Sequence, residues 1–364
     1  MQKIVHLTTV HNENDNRIFY KECKTLKEEG FDVSLICAGA KNSIKDGVKI
    51  IGFCKEKNRI KRFFKTSFID VIKKCKEVDG DIYHFHDPEL IFVGLYLKIK
   101  GKKVIYDIHE NNPASILSKP YIKNKILKIV LSKLFDIFEK TSVNFFDAIV
   151  TARPDITKRF KHKNIITLRN FPILPDLNKI KKINITKTKS SVIFVGGMTS
   201  IRGINQLIDA FKYLDDVELW LLGPITEKKL KEKILSENKN IKYFGTVEAY
   251  DVFAYINEAD IGIITFLPVP NHLTTLATKP FEYMACGKPI IMSDFDYWKE
   301  VFKDSAVYVD PYNPKKIVKA IKSLLSDKDK LTRTGILNRK LAFERYNWQK
   351  ESQKLVSLYK KFKI

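Results

Sequence analysis

Cysteine is scarce in this chain of 364 residues: five in all, an odd number, with no Cys-x-x-Cys pair among Cys23, Cys37, Cys54, Cys75 and Cys286. That argues against a disulfide scaffold or a thiol redox motif and makes buried free thiols the expectation. Proline and glycine are sparse as well, 13 and 15 residues, and no block is low in complexity, which argues against a fibrous or mainly disordered protein. Long apolar runs are missing. The longest, IGIITFLPV at 261–269 and LIFVGLYL at 90–97, fall far short of the roughly 18–20 residues that cross a bilayer. The opening MQKIVHLTTVHNEN lacks the basic start, full apolar core and small-residue cleavage site of a secretory signal, so a cytoplasmic location is expected. No His, Cys or Asp cluster shows the linear spacing of a metal motif, and no metal is expected. Acidic residues fall well short of basic ones, 42 against 65, leaving a net charge of +23. Polyanions are therefore the natural partners: nucleic acid, anionic lipid or nucleotide phosphates. No RRM, KH or zinc-finger signature accompanies the charge, so a basic nucleic-acid-binding protein is the minor alternative.

What the chain does contain is alternation. KIVHLTTV (3–10) reads as a buried strand, residues 17–29 as an amphipathic helix ending at Gly30, and DVSLICA (32–38) as the next strand. Further strands are expected at 48–53, 81–86, 103–109 and 148–152, with helical patterns between most of them. FPILPDLNKIKKINITKTKS (171–190) then loses periodicity, and the apolar run SVIFVGG (191–197) opens a second alternation, with strands at 217–223, 241–247, 261–266, 288–293 and 306–310. The expected fold is α/β, two Rossmann-like domains facing across a cleft, each built on a parallel sheet covered on both faces. The expected boundaries are 1–172, a linker at 173–190, 191–345, and a terminal helix at 346–364 that packs back on the first domain.

In open α/β sheets, ligands gather beyond the carboxyl ends of the strands. After the strand ending at Val195 comes GGMTSIRGINQLIDAF, where Gly196, Gly197 and Gly203 permit close backbone approach and a helix begins near Gly203. Such a start presents free N–H groups to a phosphate, and Arg202 adds a bidentate partner. Further on, TKPFEYMACGKPIIMS places Glu282 on a short helix closed by Gly287, where its carboxylate can accept from both ribose hydroxyls of a nucleotide. Asp294-Phe295-Asp296 spells a metal-binding Asp-x-Asp, but its place after a strand and before a helix favours helix N-capping by an Asp.

With VIFVGGMTSIRGINQLIDAF (192–211), LWLLGP (219–224), IKYFGTVEAYDVFAYINEADIGIITF (241–266) and KPFEYMACGKPII (279–291) in order, the chain resembles the retaining, nucleotide-sugar-dependent glycosyltransferases of the GT-B fold, family four. In the first half, HNENDNRIFYKECKTLKEEGFDV (11–33), IYHFHDPEL (82–90) and KKVIYDIHEN (102–111) resemble the branch that builds bacterial surface polysaccharides. The resemblance implies a sugar moved, with retention, from a UDP- or GDP-linked donor to a lipid-linked glycan, without a metal or other cofactor. It assigns Glu282 to the donor ribose. Thr274 stands where the family usually has a second Glu, so the TTLATK segment, with Thr274, Thr278 and Lys279, is expected to meet the sugar and phosphates through backbone N–H groups. The family's two phosphate-binding cations fall on Gly197 and Arg202, leaving Arg202 and Lys279 to carry the diphosphate charge. His109 matches the histidine that the family places near the donor sugar, and the catalytic set it implies is His109, Arg202 and Glu282.

On the acceptor side, only one of His84 and His86 is expected to face the cleft, and His86, beside Asp87 and nearer the strand end, is taken for that role. Asp15 and Arg17, in the loop HNENDNRIF, are expected to touch the acceptor or its phosphate. A nucleotide-sugar epimerase of the same architecture is the nearer alternative. Finally, residues 55–76 carry nine basic and two acidic residues interleaved with Phe63, Phe64, Phe68 and Ile69, and residues 121–138 repeat the mixture. That pattern predicts peripheral attachment to an anionic membrane.

Overall fold

The computed structural model describes residues 2–58, 61–119, 122–236, 239–248 and 251–362. Arg59, Ile60 and Tyr121 of the two basic apolar segments, Ala249 and Tyr250 of the second alternation, and Lys363 and Ile364 of the tail lie outside the described residues. The chain divides into two compact units, Met1–Asn170 with Gln349–Ile364, and Phe171–Trp348.

The first unit holds an eight-stranded sheet: β1 Lys3–Thr8, β2 Asp32–Ala38, β3 Ser43–Lys45, β4 Val48–Phe53, β5 Ile82–Phe85, β6 Lys103–Ile108, β7 Ala148–Thr151 and β8 Ile165–Thr167. Their order is β3-β4-β2-β1-β5-β6-β7-β8, parallel except for the β3–β4 hairpin. β1, β2 and β5 to β7 are buried along nearly every residue, as strands covered on both faces must be. The second unit holds β9 Ser190–Val195, β10 Val217–Leu222, β11 Ile241–Gly245, β12 Ile261–Ile264, β13 Ile290–Ser293 and β14 Ala306–Val309, all parallel, in the doubly wound order β11-β10-β9-β12-β13-β14. In each sheet the order reverses beside its first strand, between β1 and β5 and between β9 and β12. Loops leaving these strands diverge there and open a crevice.

Several expectations need correcting. The segment 171–190 is not a free linker, because Phe171 and Leu174 are buried in the second unit's core and Ile180 and Ile185 pack on it. Residues 17–29 do not form one regular helix. Tyr20 N–H donates to the Asp15 carbonyl and Glu22 N–H to that of Arg17, so Ile18–Cys23 coils in wide i to i+5 turns before an α-helix at Lys24–Glu28. The Asp-x-Asp caps nothing: Phe295 holds the cap position of Asp296–Phe302, and Asp294 and Asp296 pair with Lys299 at 2.7 and 3.1 Å. All five cysteines are free, but Cys54 is exposed.

The tail helix, Trp348–Lys360, buries Leu355, Val356, Leu358 and Tyr359, and Tyr359 Oη lies 2.8 Å from His84 Nδ1 under β5. Its packing on the first unit's sheet follows from apolar residues recurring every three or four positions.

Candidate active site

In the second unit the crevice lies where β9 and β12 end. Gly203 takes φ +73°, and a Cβ there would stand 1.8 Å from the Thr265 carbonyl oxygen, so this turn admits glycine alone. The eight-residue helix Ile204–Phe211 starts directly from it without a side-chain cap. Arg202 lies across Gly196 and Gly197. Its Nη1 donates to the Gly197 carbonyl at 2.9 Å, and a Cβ on Gly197 would come within 3.2 Å of that nitrogen. The guanidinium also sits 5.4 Å above the Phe266 ring. It is half-buried, which lowers its pKa through desolvation, and among the described residues no carboxylate pairs with it. Glu227, beyond β10, pins the same loop by accepting from the backbone and hydroxyl of Ser200.

Glu282 lies on the helix Lys279–Ala285, which is tied to the end of β9 by Val195 N–H donating to Tyr283 Oη at 2.9 Å. Gly262 makes room for that tyrosine, since a Cβ there would meet its ring at 2.4 Å. Gly287, at φ +67°, ends the helix as the sequence suggests. Glu282 is buried, and Lys279 Nζ donates to both its oxygens at 2.8 and 2.6 Å. Lys279 is therefore committed to Glu282 in this state rather than turned out as a second diphosphate cation. Thr278 occupies the cap position without a side-chain bond, and Thr274 is exposed at the end of the short helix Pro270–Thr274.

In the first unit the crevice lies beyond β1 and β5 and is filled by charge. Arg17 grips Asp107 with Nε and Nη2, both at 2.9 Å, donates Nη1 to the Leu168 carbonyl at 2.8 Å, and has Nε 3.1 Å from Glu22. At 5% exposure it faces inward, which corrects the expectation of an acceptor contact. Asp107 ionises well below the usual range: burial opposes this, but Arg17 and then His109 and His86 outweigh it. His109 sits above, Nε2 2.9 Å from Asp107 Oδ2 and 3.2 Å from His86 Nδ1, with a fraction of its ring exposed. His86 is a second correction. It lies beneath His109, fully enclosed, and burial lowers its pKa to about 4. Residues two apart on a strand share a face, so His84 and His86 point the same way, their rings stacked at 4.8 Å. Asp15 accepts from the Arg17 and Ile18 backbone N–H groups at 2.8 and 2.9 Å and from His11 at 3.0 Å, and keeps part of its surface open.

Reading motifs in line misses His6, Glu22 and Asp107 and passes over His84, and the fold brings all four together with Arg17 and His86. Linear spacing showed no metal motif, yet His6, Glu22, His84 and His86 converge in space. The available signal was a titratable residue inside an otherwise apolar central strand, as in KIVHLT and KVIYDI.

Residues 176–341 match the family Glycosyl transferases group 1, and residues 16–168 match Glycosyltransferase Family 4. Among named proteins, the chain is 22% identical over 299 residues to the phosphatidyl-myo-inositol mannosyltransferase of Mycobacterium leprae, covering 78% of this chain and 74% of that one. It is 27% identical over 190 residues to spore coat protein SA of Bacillus subtilis, covering 48% and 49%. Among solved structures, sucrose-phosphate synthase from Thermosynechococcus elongatus superposes with a TM-score of 0.75 at 14% identity, covering 100% of this chain and 99% of that one. Anabaena HepE in complex with UDP and glucose gives 0.71 at 15%, covering 99% and 100%.

Proposed function

We propose that this chain, a glycosyltransferase with the GT-B fold, takes a sugar from a nucleoside diphosphate donor with retention and adds it to a lipid-linked glycan of a surface polysaccharide. The observation that carries the donor assignment is Arg202: a half-buried cation with no carboxylate partner among the described residues, in a glycine turn at the start of a helix. Desolvated and unpaired, it is stabilised by a phosphate in a way that a surface arginine is not. The departing diphosphate gains charge as the bond to the sugar breaks, and Arg202 with the N–H groups after Gly203 meets that charge. Glu282 serves the ribose once its contact with Lys279 rearranges. His109, held by Asp107, serves as a hydrogen-bonding group for a sugar hydroxyl or leaving oxygen. No divalent ion is needed at the diphosphate.

The lipid-linked acceptor and the cytoplasmic membrane face are supported by the first unit's surface. The helix Lys125–Ser142 exposes Ile126, Leu127, Ile129, Val130, Leu131, Leu134 and Ile137 among its lysines, and Phe64 and Ile69 of the segment Arg62–Asp70 are more than half exposed. Ring contacts from Phe63 to Phe92 at 6.2 Å and from Phe92 to Phe138 at 5.0 Å join the two into one patch. No described helix is long and apolar enough to cross a membrane.

Calorimetry and turnover with UDP- and GDP-sugars test the reading. Arg202→Ala is expected to cut turnover more than it weakens binding, because the charge it meets grows toward the transition state. Unchanged turnover would remove Arg202 from the site, and an anomerically inverted product would remove the retaining step.

A further inference from the structure

The buried cluster of the first unit holds more donor atoms than its hydrogen bonds use. His6 on β1 and His84 on β5 are register partners, so their rings lie side by side with centroids 4.7 Å apart. Glu22 enters from the wide turns of Ile18–Cys23. One ligating atom from each of His6, Glu22, His84 and His86 lies within 4.8 Å of the others, and all four residues are buried.

The hydrogen bonds among them run in one direction. Ionised Asp107 can only accept, so His86 donates to it from Nδ1 at 3.3 Å and presents a lone pair at Nε2. That lone pair accepts from His6 Nδ1 at 2.9 Å, which leaves His6 Nε2 as a lone pair too, and it has no hydrogen-bond partner. His84 meets Tyr359 Oη through Nδ1, while its Nε2 has no hydrogen-bond partner. The Glu22 carboxylate lies beside both rings, with Oε1 3.1 Å from Arg17 Nε and Oε2 3.9 Å from His84 Nδ1. Fully buried polar atoms are nearly always satisfied, and two bare imidazole nitrogens beside a buried carboxylate call for an occupant that accepts lone pairs.

We propose that this cluster is a resident site for one divalent transition-metal ion of the zinc class, ligated by His6, His84 and Glu22. Two imidazoles and a carboxylate are a borderline donor set that suits Zn²⁺, Co²⁺ or Ni²⁺ and not the oxygen-preferring Mg²⁺ or Ca²⁺. The outer partners follow the pattern of metal-binding histidines, whose second nitrogen is fixed by a polar group: His6 leans on His86 and through it on Asp107, and His84 leans on Tyr359. The neighbouring trio His86, Asp107 and His109 is the weaker candidate, since its facing atoms are already hydrogen-bonded to one another. The ion is structural, holding β1, β5 and the wide turns together, and takes no part at the diphosphate.

The full chain, purified and dialysed against a chelator too weak to strip a buried ion, is expected to retain about one zinc per chain by elemental analysis. Refolding in Co²⁺ should give visible d–d absorption that saturates near one equivalent and is unaffected by excess Mg²⁺. His84→Gln should lose both signals and His109→Gln should keep them. A parent chain without retained metal and without a cobalt band overturns the site, as does stoichiometric binding that survives His84→Gln or is lost in His109→Gln. If His84→Gln does not fold, the parent's metal content and cobalt spectrum decide the matter.

Discussion

Glu282 is buried and paired with the partly exposed Lys279, and on the proposed reading that pairing changes when a nucleotide arrives. Two short contacts from Lys279 hold the carboxylate, and in the proposed complex the ribose hydroxyls compete for the same oxygens. Replacing Glu282 with Ala removes an ionised acceptor, and hydrogen bonds of that type contribute roughly 1.5–3 kcal/mol, so nucleotide affinity should fall at least about tenfold. Calorimetric titration reads this directly, and an unchanged dissociation constant would place the ribose elsewhere. A different residue-scale effect arises at His11. Its hydrogen bond to Asp15 raises its pKa above the ordinary 6.5; burial opposes this, while Asp87, Asp15 and Asp107 add to it, with the His109 ring packed at 5.3 Å. A histidine whose folded pKa is raised stabilises the protein fully below its unfolded value, and the benefit is lost as pH rises through the folded one. As pH rises from the ordinary 6.5 through the raised folded value, the parent should therefore lose stability relative to His11→Asn. Parallel denaturation curves for the two proteins would show that the pair contributes nothing.

Helix Lys125–Ser142 contrasts with the elements around it. Only Ser132, Glu139 and Ser142 are fully buried and Phe135 and Phe138 pack on the core, while most of its other apolar residues face outward, the reverse of an ordinary packed helix. Sedimentation with vesicles tests what that face meets. Binding to anionic vesicles at low salt is expected, each cation near the surface contributing about 1 kcal/mol, with weaker binding to neutral lipid or in high salt. Ile129→Glu together with Leu134→Glu should abolish it without touching either crevice, and failure of the parent to bind would end the membrane reading. The elements also show what the sequence could disclose. Strands at 32–38 and 48–53 are read to the residue, because buried parallel strands announce themselves as β-branched apolar runs. β3 escapes notice, although its Asp46-Gly47 turn, with φ +48° and +76°, is a recognisable hairpin signal; three residues are too short a run to show periodicity. The wide turns of Ile18–Cys23 have the same apolar spacing as an α-helix, and what diverts them is the pull of Arg17 toward Asp107, a contact across 90 positions, with Glu22 following on Arg17. The glycine turn was legible because local backbone geometry demands glycine at Gly203. The inward fate of Arg17 and His86 was not, since it depends on which strands become neighbours.

The whole molecule is strongly basic, and its first unit is discontinuous in sequence: Met1–Asn170 is completed only by residues that follow Trp348. Burial of Leu355, Val356, Leu358 and Tyr359 on that unit, at about 1.5–3 kcal/mol for each large side chain, amounts to a sizeable part of the 5–15 kcal/mol that holds a typical domain. The figure is an upper bound, since an unfolded chain already hides some apolar surface. Tyr359 adds a polar link, because His84 loses its hydroxyl partner without it. Ending the chain after Trp348 should therefore melt the first unit while the second, Phe171–Trp348, which keeps its core clusters whole, retains its cooperative transition. Calorimetry should show one transition of reduced enthalpy, and hydrogen exchange should find protection lost in β1 and β5 and kept in β9 and β12. Tyr359→Phe, which keeps the ring and removes only the hydroxyl, should cost no more than about 1–3 kcal/mol. If the truncated chain retains protection in β1 and β5, the tail is a surface attachment and the first unit folds without it.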